Sequence, residues 1–288
     1  MFGLLNINKP SGITSRDVVN KVQRLIRPVK VGHAGTLDPL ATGVLVLGLG
    51  PATRLTQYVQ KMKKSYRGTF LLGRTSDTED IEGQVTELDA AIPTREQLNA
   101  VLPRFLGEIQ QKPPAYSALK VAGRRAYDLA RAGETVELAA RPVTIYDLAI
   151  VEYEYPRLVL DIVCGSGTYV RSLGRDVAIA VETGAVMSGL VRTAIGPFSI
   201  ETAMPADDIA LESITERLAP AKLAVADVPA TRLNDSQLTE IRHGRLVDCE
   251  HDRETPEVAA LDSDGNLVAI LVPRRGRWGP ARNFAGSA

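Results

Sequence analysis

The stretch "GHAGTLDPLATG" at residues 32–43 sets one acid, Asp38, in a loop rich in glycine. Its glycines allow backbone angles that other residues avoid, and Pro39 fixes its own φ and biases Asp38 towards an extended backbone. A loop of this kind can hold a carboxylate at a fixed angle. The sequence leaves two interpretations open: an Asx-type turn or helix cap, and a positioned nucleophile or base.

Strands and helices flank this loop on both sides. Before it, "GLLNINK" predicts a strand that ends at a "KPSG" turn, and "SRDVVNKVQRLI" predicts a helix capped by Thr14 or Ser15. After it, "GVLVLGLG" and "SYRGTFLLG" predict strands, and Thr94 with Gln97 three residues later predicts a capping-box helix start. Further on, "GTYVRSLGRDVAIAVE" predicts a helix. Because strands and helices mix without strict βαβ alternation, the sequence predicts an α+β fold.

Two later regions differ in character from the rest. Residues 107–142 are irregular and basic, with a short helix predicted at 125–131. Such a stretch inside a compact domain favours a binding element. From about Ala221 the pattern changes, and "EVAALDSDGNLVAILVP" predicts a β-hairpin around "DSDG". The sequence therefore predicts a main domain over 1–220 and a small β-rich module over 221–288.

Charge is balanced overall but unevenly distributed. The 288 residues include 34 basic and 34 acidic residues, so the formal net charge is zero. Residues 54–74 carry basic residues without an acid, residues 112–141 are mainly basic, and the arginines after Asp264 are likewise without acids. Such segments are often plain solvated surface, but segregated basic segments can also bind a polyanion.

Several other classes of protein are disfavoured. The three histidines and two cysteines form no ligand cluster, so we expect no metal site. A nicotinamide or flavin enzyme is a minor alternative, because "CGSGTYVRSLG" places Val170 at the third glycine position of the dinucleotide fingerprint. No apolar run reaches the ~18 residues of a membrane span, and no signal peptide is evident. We therefore expect a cytoplasmic protein.

Five sequence blocks carry a family resemblance, and they occur in one order over most of residues 3–200. They are "NINKPSGITS", "VGHAGTLDPLATGVLVLGLGPATR", "SYRGTFLLGRTSDTEDIEG", "PPAYSALKVAGRRAYDLARAG" and "CGSGTYVRSLGRD". Together they resemble the TruB family of tRNA pseudouridine synthases. The resemblance implies a pseudouridine-synthase fold, with a mixed, mainly antiparallel central sheet flanked by helices and a C-terminal PUA-like module. It also implies that residues 107–142 form an insert that clamps RNA.

The activity that the resemblance implies is isomerisation of the T-loop uridine at tRNA position 55 to pseudouridine. The glycosidic bond is cleaved, the base turns and C5 is attached to the sugar, so no cofactor is expected. The expected partner is the T-stem–loop of tRNA, with no membrane and no obligate protein partner, and nothing demands more than a monomer. A tRNA-folding or tRNA-binding factor with secondary isomerase activity is the alternative function.

The resemblance also assigns site residues. It implies that Asp38 is the catalytic residue, that Tyr66 stacks on the target base and that Arg171 pairs with the aspartate. Asp38 could add covalently to the sugar or base, or could abstract the 2′ proton; both roles stay open. The residues assigned to substrate binding or to support of the catalytic loop are Lys9, Pro10, His33 and Tyr169. One departure lies at "LVRT", residues 190–193, where the family often has paired arginines.

Overall fold

The chain forms two compact units in the computed structural model. The structure describes residues 1–114, 116, 120–121, 124–125, 138–252 and 254–286, with 120–121 and 124–125 described by backbone alone. The first unit comprises Met1–Met62 together with Ile195–Ala288, and the second unit comprises Lys63–Ala194. The domain boundary expected between residues 220 and 221 stays a prediction.

Helices and strands follow each other irregularly along the chain, as expected of an α+β fold. The α-helices of the described residues are α1 (Ser15–Leu25), α2 (Thr56–Lys61), α3 (Arg95–Val101), α4 (Val170–Ile179), α5 (Leu211–Glu216) and α6 (Asp235–Arg242). Short 3-10 helices span Gly50–Leu55, Leu102–Phe105, Ile200–Thr202, Ala206–Asp208 and Ala221–Val225.

The strands include every one that the sequence predicted around the loop. In chain order they are β1 (Gly3–Lys9), β2 (Val31–His33), β3 (Thr42–Leu49), β4 (Lys64–Leu72), β5 (Arg74–Ser76), β6 (Val85–Glu87), β7 (Gly107–Gln111), β8 (Lys120–Val121), β9 (Arg124–Arg125), β10 (Arg141–Glu154), β11 (Arg157–Cys164), β12 (Ala185–Ile195), β13 (Phe198–Ser199), β14 (Met204–Pro205), β15 (Ala230–Arg232), β16 (Val258–Leu261), β17 (Leu267–Arg274) and β18 (Arg277–Asn283). The helix predicted at 125–131 lies outside the described residues, apart from the backbone of Arg125 at the end of β9.

The N-terminal part of the first unit is a sheet covered by α1. Strand β1 pairs antiparallel with β3 and parallel with β14, and β2 also pairs antiparallel with β3. Thr14 caps α1, as one of the two predicted caps, and Asp17 completes a capping box with it. The helix buries Val18, Val19 and Val22 in a core that includes residues of β1 and β3. This packing leaves the loop between β2 and β3 at one end of the sheet.

The C-terminal part of the first unit is a second sheet, with strand order β15-β16-β17-β18. Strands β16 and β17 pair antiparallel, which confirms the predicted hairpin around "DSDG". Its core joins that of the N-terminal part, since Leu4 and Val46 belong to the same buried cluster as Ile270 and Phe284. Phe2 and Phe284 stack with ring centroids 5.1 Å apart.

The second unit is a sheet with strand order β12-β4-β11-β10-β7, in which β4, β11, β10 and β7 are antiparallel neighbours. Helix α4 lies close against β4 because Gly174 faces the ring of Phe70. A Cβ built on Gly174 would lie 2.0 Å from that ring, so only glycine fits at this contact. Phe70 is fully buried there.

Helix α4 is shorter than the sequence predicted. The pattern indicated a helix over residues 167–182, but the helix spans Val170–Ile179. At its start Gly167 has a φ of +85°, and after its end Glu182 has a φ of +60°. These left-handed residues interrupt the helical backbone at both ends.

Among the described residues, no helix has the length and apolar character that crossing a membrane requires. In the same part of the chain, the histidines, cysteines and acids form no group of three or more with an arrangement that could hold a metal ion.

Candidate active site

Asp38 lies at an exposed turn of the loop between β2 and β3. The main-chain carbonyl of Asp38 accepts a hydrogen bond from the N–H of Ala41 at 3.0 Å, which closes a tight turn. Gly35 and Gly43 have φ values of +130° and +98°, so the loop uses the conformations that its glycines permit. The carboxylate therefore stands on a turn of defined shape.

The N-terminal segment holds this loop from one side. Lys9 is fully buried, and its Nζ donates to the carbonyls of Pro10 at 2.8 Å, Ile13 at 2.7 Å and Pro39 at 3.4 Å. The N–H of Gly12 donates to the carbonyl of Pro39 at 2.9 Å. Burial of a lysine is costly unless hydrogen bonds surround it, and here they join the turn after β1 to the residue that follows Asp38.

Ser15 holds the loop on the other side of Asp38. Its Oγ accepts from the N–H of Leu37 at 2.8 Å and donates to the carbonyl of Leu37 at 3.0 Å. Both residues are buried. His33 is half-buried at the end of β2, and its Nδ1 lies 3.4 Å from the N–H of Gly35, which points towards it. Main-chain atoms before and after Asp38 are thus fixed by residues of the N-terminal segment and of α1.

Arg171 is the centre of a buried polar cluster in the second unit. It lies in the first turn of α4, and its Nη1 donates to Oδ2 of Asp80 and to the carbonyl of Thr78, each at 2.9 Å. Its Nη2 donates to the carbonyl of Tyr116 at 3.2 Å. The side chains of Arg171 and Asp80 are only 12% and 6% exposed. A buried, charge-assisted pair of this kind fixes the orientation of the guanidinium.

A second ion pair lies one turn further along α4. Arg175 pairs with Glu79, and Ser172 Oγ donates to the Glu79 carboxylate at 2.7 Å. Burial raises the pKa of the Glu79 carboxyl, against the opposing effects of Arg175 and Ser172. Glu79 has a φ of +63°, an unusual conformation for a residue with a side chain. The bonds to α4 and to Met187 hold this turn in place.

The two aromatic candidates also lie in the second unit. Tyr66 is the third residue of β4, is half-buried and lies opposite Ile162 of β11. Tyr169 is half-buried and directly precedes α4 as its N-cap residue, so it stands two residues before Arg171. The side-chain amide of Gln111 forms two hydrogen bonds with the main chain of Tyr169.

Two further cations are buried in the second unit. Lys64 and Arg192 are 8% and 2% exposed. Burial, and then the positive charge of Arg192, lowers the pKa of Lys64 to about 8. Arg192 belongs to the "LVRT" stretch in which the sequence departs from the family pattern. It is buried in β12.

The structure thus places the seven predicted site residues in two groups. Asp38, His33, Lys9 and Pro10 lie together around one loop of the first unit, and Tyr66, Tyr169 and Arg171 lie in the second unit. The predicted pairing of Asp38 with Arg171 stays a prediction. The residues that sequence reasoning missed are Ser15, Glu79, Asp80, Gln111 and Arg175. Of these, only Arg175 left a signal, since it follows Arg171 by four residues and residues four apart share one face of a helix.

Comparison with known proteins identifies the family. The profile of the "TruB family pseudouridylate synthase (N terminal domain)" matches residues 23–170. A protein of Arthrobacter sp. (strain FB24) named tRNA pseudouridine synthase B is 43% identical, over 100% of this chain and 98% of the relative. The chain belongs to the TruB family. A TruB-family protein of the same name from Rhodospirillum rubrum is 44% identical, over 98% of this chain and 96% of its own.

Solved structures with the same fold include a Cbf5–Nop10–Gar1 complex. One of its chains matches with a TM-score of 0.73 and 27% identity, over 94% of this chain and 78% of that chain. An archaeal box H/ACA sRNP Nop10–Cbf5 complex matches with a TM-score of 0.71 and 25% identity. The predicted α+β pseudouridine-synthase fold is therefore confirmed for this TruB-family chain.

Proposed function

We propose that this protein converts the T-loop uridine at position 55 of tRNA to pseudouridine, and that Asp38 is its catalytic residue. One observation carries the proposal: relatives named tRNA pseudouridine synthase B match essentially the whole chain, including the loop that holds Asp38. The way in which Lys9 and Ser15 fix that loop supports it, since a catalytic carboxylate needs a defined position. We place the activity in the cytoplasm.

The reaction is an isomerisation, so its atoms balance without a co-reactant. The bond between C1′ and N1 breaks, the uracil turns, a bond between C1′ and C5 forms, and the proton of C5 is lost while N1 gains one. The target base must first leave the stacked loop, which costs a few kcal/mol. Stacking on an aromatic side chain returns about 1–3 kcal/mol, and we assign this role to Tyr66, with Tyr169 and His33 as further substrate-binding residues.

Asp38 must be ionised in either of its two possible roles. As a nucleophile, its carboxylate would add to the sugar or the base; as a base, it would remove the 2′ proton so that the uracil leaves through a glycal. We propose that Arg171 keeps the carboxylate ionised and oriented in both cases. We assign to Lys9 and Pro10 the support of the Asp38 loop, and to the basic residues 54–74 and 112–141 contacts with tRNA phosphates.

We further propose that residues 221–288 are a PUA-like RNA-binding module and that residues 107–142 clamp the T-stem–loop. The arginines after Asp264 would give that module its contacts with the tRNA backbone. Because the proposed substrate is RNA alone, we expect the protein to act without an obligate protein partner.

Tritium release from tRNA labelled at C5 of uridine tests the function. We expect the wild-type protein to release tritium from an unmodified transcript, and to release none when the T-loop uridine is replaced by cytidine. Asp38→Asn removes the charge at nearly constant shape, so release should fall to background while tRNA binding survives. Asp207→Asn, at an exposed acid of the same unit, is the matched control and should stay active.

Each outcome separates the candidate functions. Retained tritium release in Asp38→Asn contradicts the catalytic assignment. If the wild-type protein binds and refolds tRNA but releases no tritium, the alternative function, a tRNA-folding factor, is supported instead.

A further inference from the structure

We propose that Gln111 is a positioning residue of the active site, which fixes the main chain of Tyr169 and through it the first turn of α4. The inference rests on the proposed function, because Tyr169 and Arg171 are proposed site residues. Gln111 is the last residue of β7, and it is 1% exposed. It lies 58 residues from Tyr169 in sequence.

The side-chain amide of Gln111 meets both main-chain groups of Tyr169. Its Oε1 accepts from the N–H of Tyr169 at 2.8 Å, and its Nε2 donates to the carbonyl of Tyr169 at 3.1 Å. An amide presents one donor side and one acceptor side in a plane, as a neighbouring strand would. Both bonds together fix the plane of the peptide groups on each side of Tyr169.

Tyr169 needs this support because of its position at the start of a helix. The N-cap residue, directly before a helix, usually caps it through the side chain of serine, threonine, aspartate or asparagine. The Tyr169 side chain makes no capping hydrogen bond. The carbonyl of Tyr169 also accepts from the N–H of Leu173 at 3.0 Å. Gln111 thus gives the main-chain N–H of Tyr169, directly before the helix, a partner from another strand.

A second contact to α4 comes from the residue that follows β7. Arg175 Nη2 donates to the carbonyl of Lys112 at 3.1 Å. The end of β7 is therefore fixed to Tyr169, directly before α4, and the residue after β7 is fixed to Arg175, six residues further along. Arg171 lies between these two points, so a shift at Gln111 would move the start of the helix that carries Arg171.

Gln111→Leu and Gln111→Glu test the inference in complementary ways. Leucine keeps the volume and removes both hydrogen bonds. Glutamate keeps the shape of the side chain and the oxygen that accepts from the N–H of Tyr169. When it is ionised, a negative oxygen replaces Nε2 and faces the carbonyl oxygen of Tyr169. We expect turnover at saturating tRNA to fall roughly 10- to 100-fold in both variants near pH 8, with the Kd for tRNA within about twofold of wild type, since the basic segments still bind the phosphates.

The pH dependence of turnover in Gln111→Glu shows whether residue 111 acts through its hydrogen bonds to Tyr169 or only by filling space in the core. When the new carboxyl is protonated it regains a donor, so turnover relative to wild type should rise as the pH falls from 8.5 to 5.5. Burial against a carbonyl favours the protonated form. The charged groups nearest to Gln111 along these elements are Arg141, which pairs with it from β10, Lys112, and Arg171, Arg175 and Asp176 on α4. Glu108 of β7 and Asp147, Glu152 and Glu154 of β10 lie further along their strands. Gln84→Glu, at an exposed glutamine of the same unit that lies outside residues 107–142, should keep wild-type turnover and a ratio that does not change with pH.

Three results would overturn the inference: wild-type turnover in Gln111→Leu, a loss confined to the Kd for tRNA, or a flat pH ratio for Gln111→Glu. Thermal unfolding of each variant shows whether it is folded. If wild-type protein releases no tritium, the proposed function fails and the inference fails with it. If the wild type is active and Gln111→Leu equals it, only the inference fails.

Discussion

Ser15 and Leu37 are joined by two hydrogen bonds although 22 residues separate them, and this pair fixes the main chain next to Asp38. Ser15 is the first residue of α1, but Thr14 caps the helix, so the Ser15 hydroxyl is used for the loop. With Lys9 on the far side, the loop that carries the proposed catalytic acid is held at Leu37 and at Pro39. The acid side chain itself is exposed.

Ser15→Ala should therefore weaken catalysis without removing any group proposed to touch substrate. The variant leaves the N–H and the carbonyl of Leu37 without their buried partner, which costs about 1–3 kcal/mol of stability. We expect turnover in the tritium assay to fall roughly tenfold, because a small displacement of a reacting group has large effects. Ser11→Ala is the control: Ser11 is exposed and makes one long bond, to Leu40. Equal turnover in the two variants would contradict the prediction.

Asp80→Asn should reduce turnover through Arg171. Asparagine can still accept a hydrogen bond, but it removes the charge that Arg171 faces at 2.9 Å in a buried site. Loss of one partner of a buried ion pair costs roughly 3–5 kcal/mol, and we expect a loss of stability together with a 10- to 100-fold lower turnover.

Asp77→Asn gives the matched control for Asp80→Asn in the same turn. Asp77 is exposed, and its Oδ1 accepts from the N–H of Gln84, a bond that asparagine can keep. Urea unfolding and the tritium assay compare the two variants. If both behave alike, the Asp80–Arg171 pair has no role in turnover.

Local signals predicted the elements of this fold well. The cap by Thr14, one of the two predicted for α1, and the predicted capping box at Thr94 both form, because a cap depends only on residues about three apart. The hairpin between β16 and β17 and the strands around the Asp38 loop also follow from local patterns. The predicted ends of α4 were wrong because residues with positive φ interrupt the helix. The spacing of apolar residues carries no information about the sign of φ.

Contacts between distant segments could not be predicted from the residues alone. Arg171 meets Asp80 over 91 residues, and Gln111 meets Tyr169 over 58. No spacing rule specifies which loop meets which helix. The family resemblance assigned the residues of the candidate site, whereas the residues that orient them come from distant segments and meet only in the folded chain.

Tyr58→Phe should destabilise the first unit. The Tyr58 hydroxyl donates to Glu257 at 2.7 Å and accepts from Arg282 at 2.9 Å, which links α2 to the C-terminal sheet. Burial, together with the bond to Glu257, raises the pKa of Tyr58 to about 12, so the hydroxyl keeps its proton at neutral pH. We expect the free energy of unfolding in urea to fall by about 1–3 kcal/mol. Tyr146→Phe, at a tyrosine that is 48% exposed, should change it far less.

Lys64→Met should change the way in which stability depends on pH. Burial and the charge of Arg192 lower the pKa of Lys64 to about 8 in the folded protein, against the ordinary lysine value of 10.5. Below pH 8 the lysine is charged in both the folded and the unfolded chain, so the folded protein bears the full cost of the buried charge. Between pH 8 and 10.5 the unfolded chain binds more protons than the folded one. Stability from this group therefore rises with pH in that window.

Methionine removes this titration, so the free energy of unfolding of wild type relative to Lys64→Met should rise by roughly 3 kcal/mol between pH 7.5 and 10.5. Urea unfolding at several pH values measures the difference, and other titrating groups cancel because both proteins share them. Lys63→Met, at the exposed neighbour, is the control for removing a lysine from the same strand region. A constant difference for Lys64→Met across this window would mean that Lys64 keeps an ordinary pKa in the folded protein.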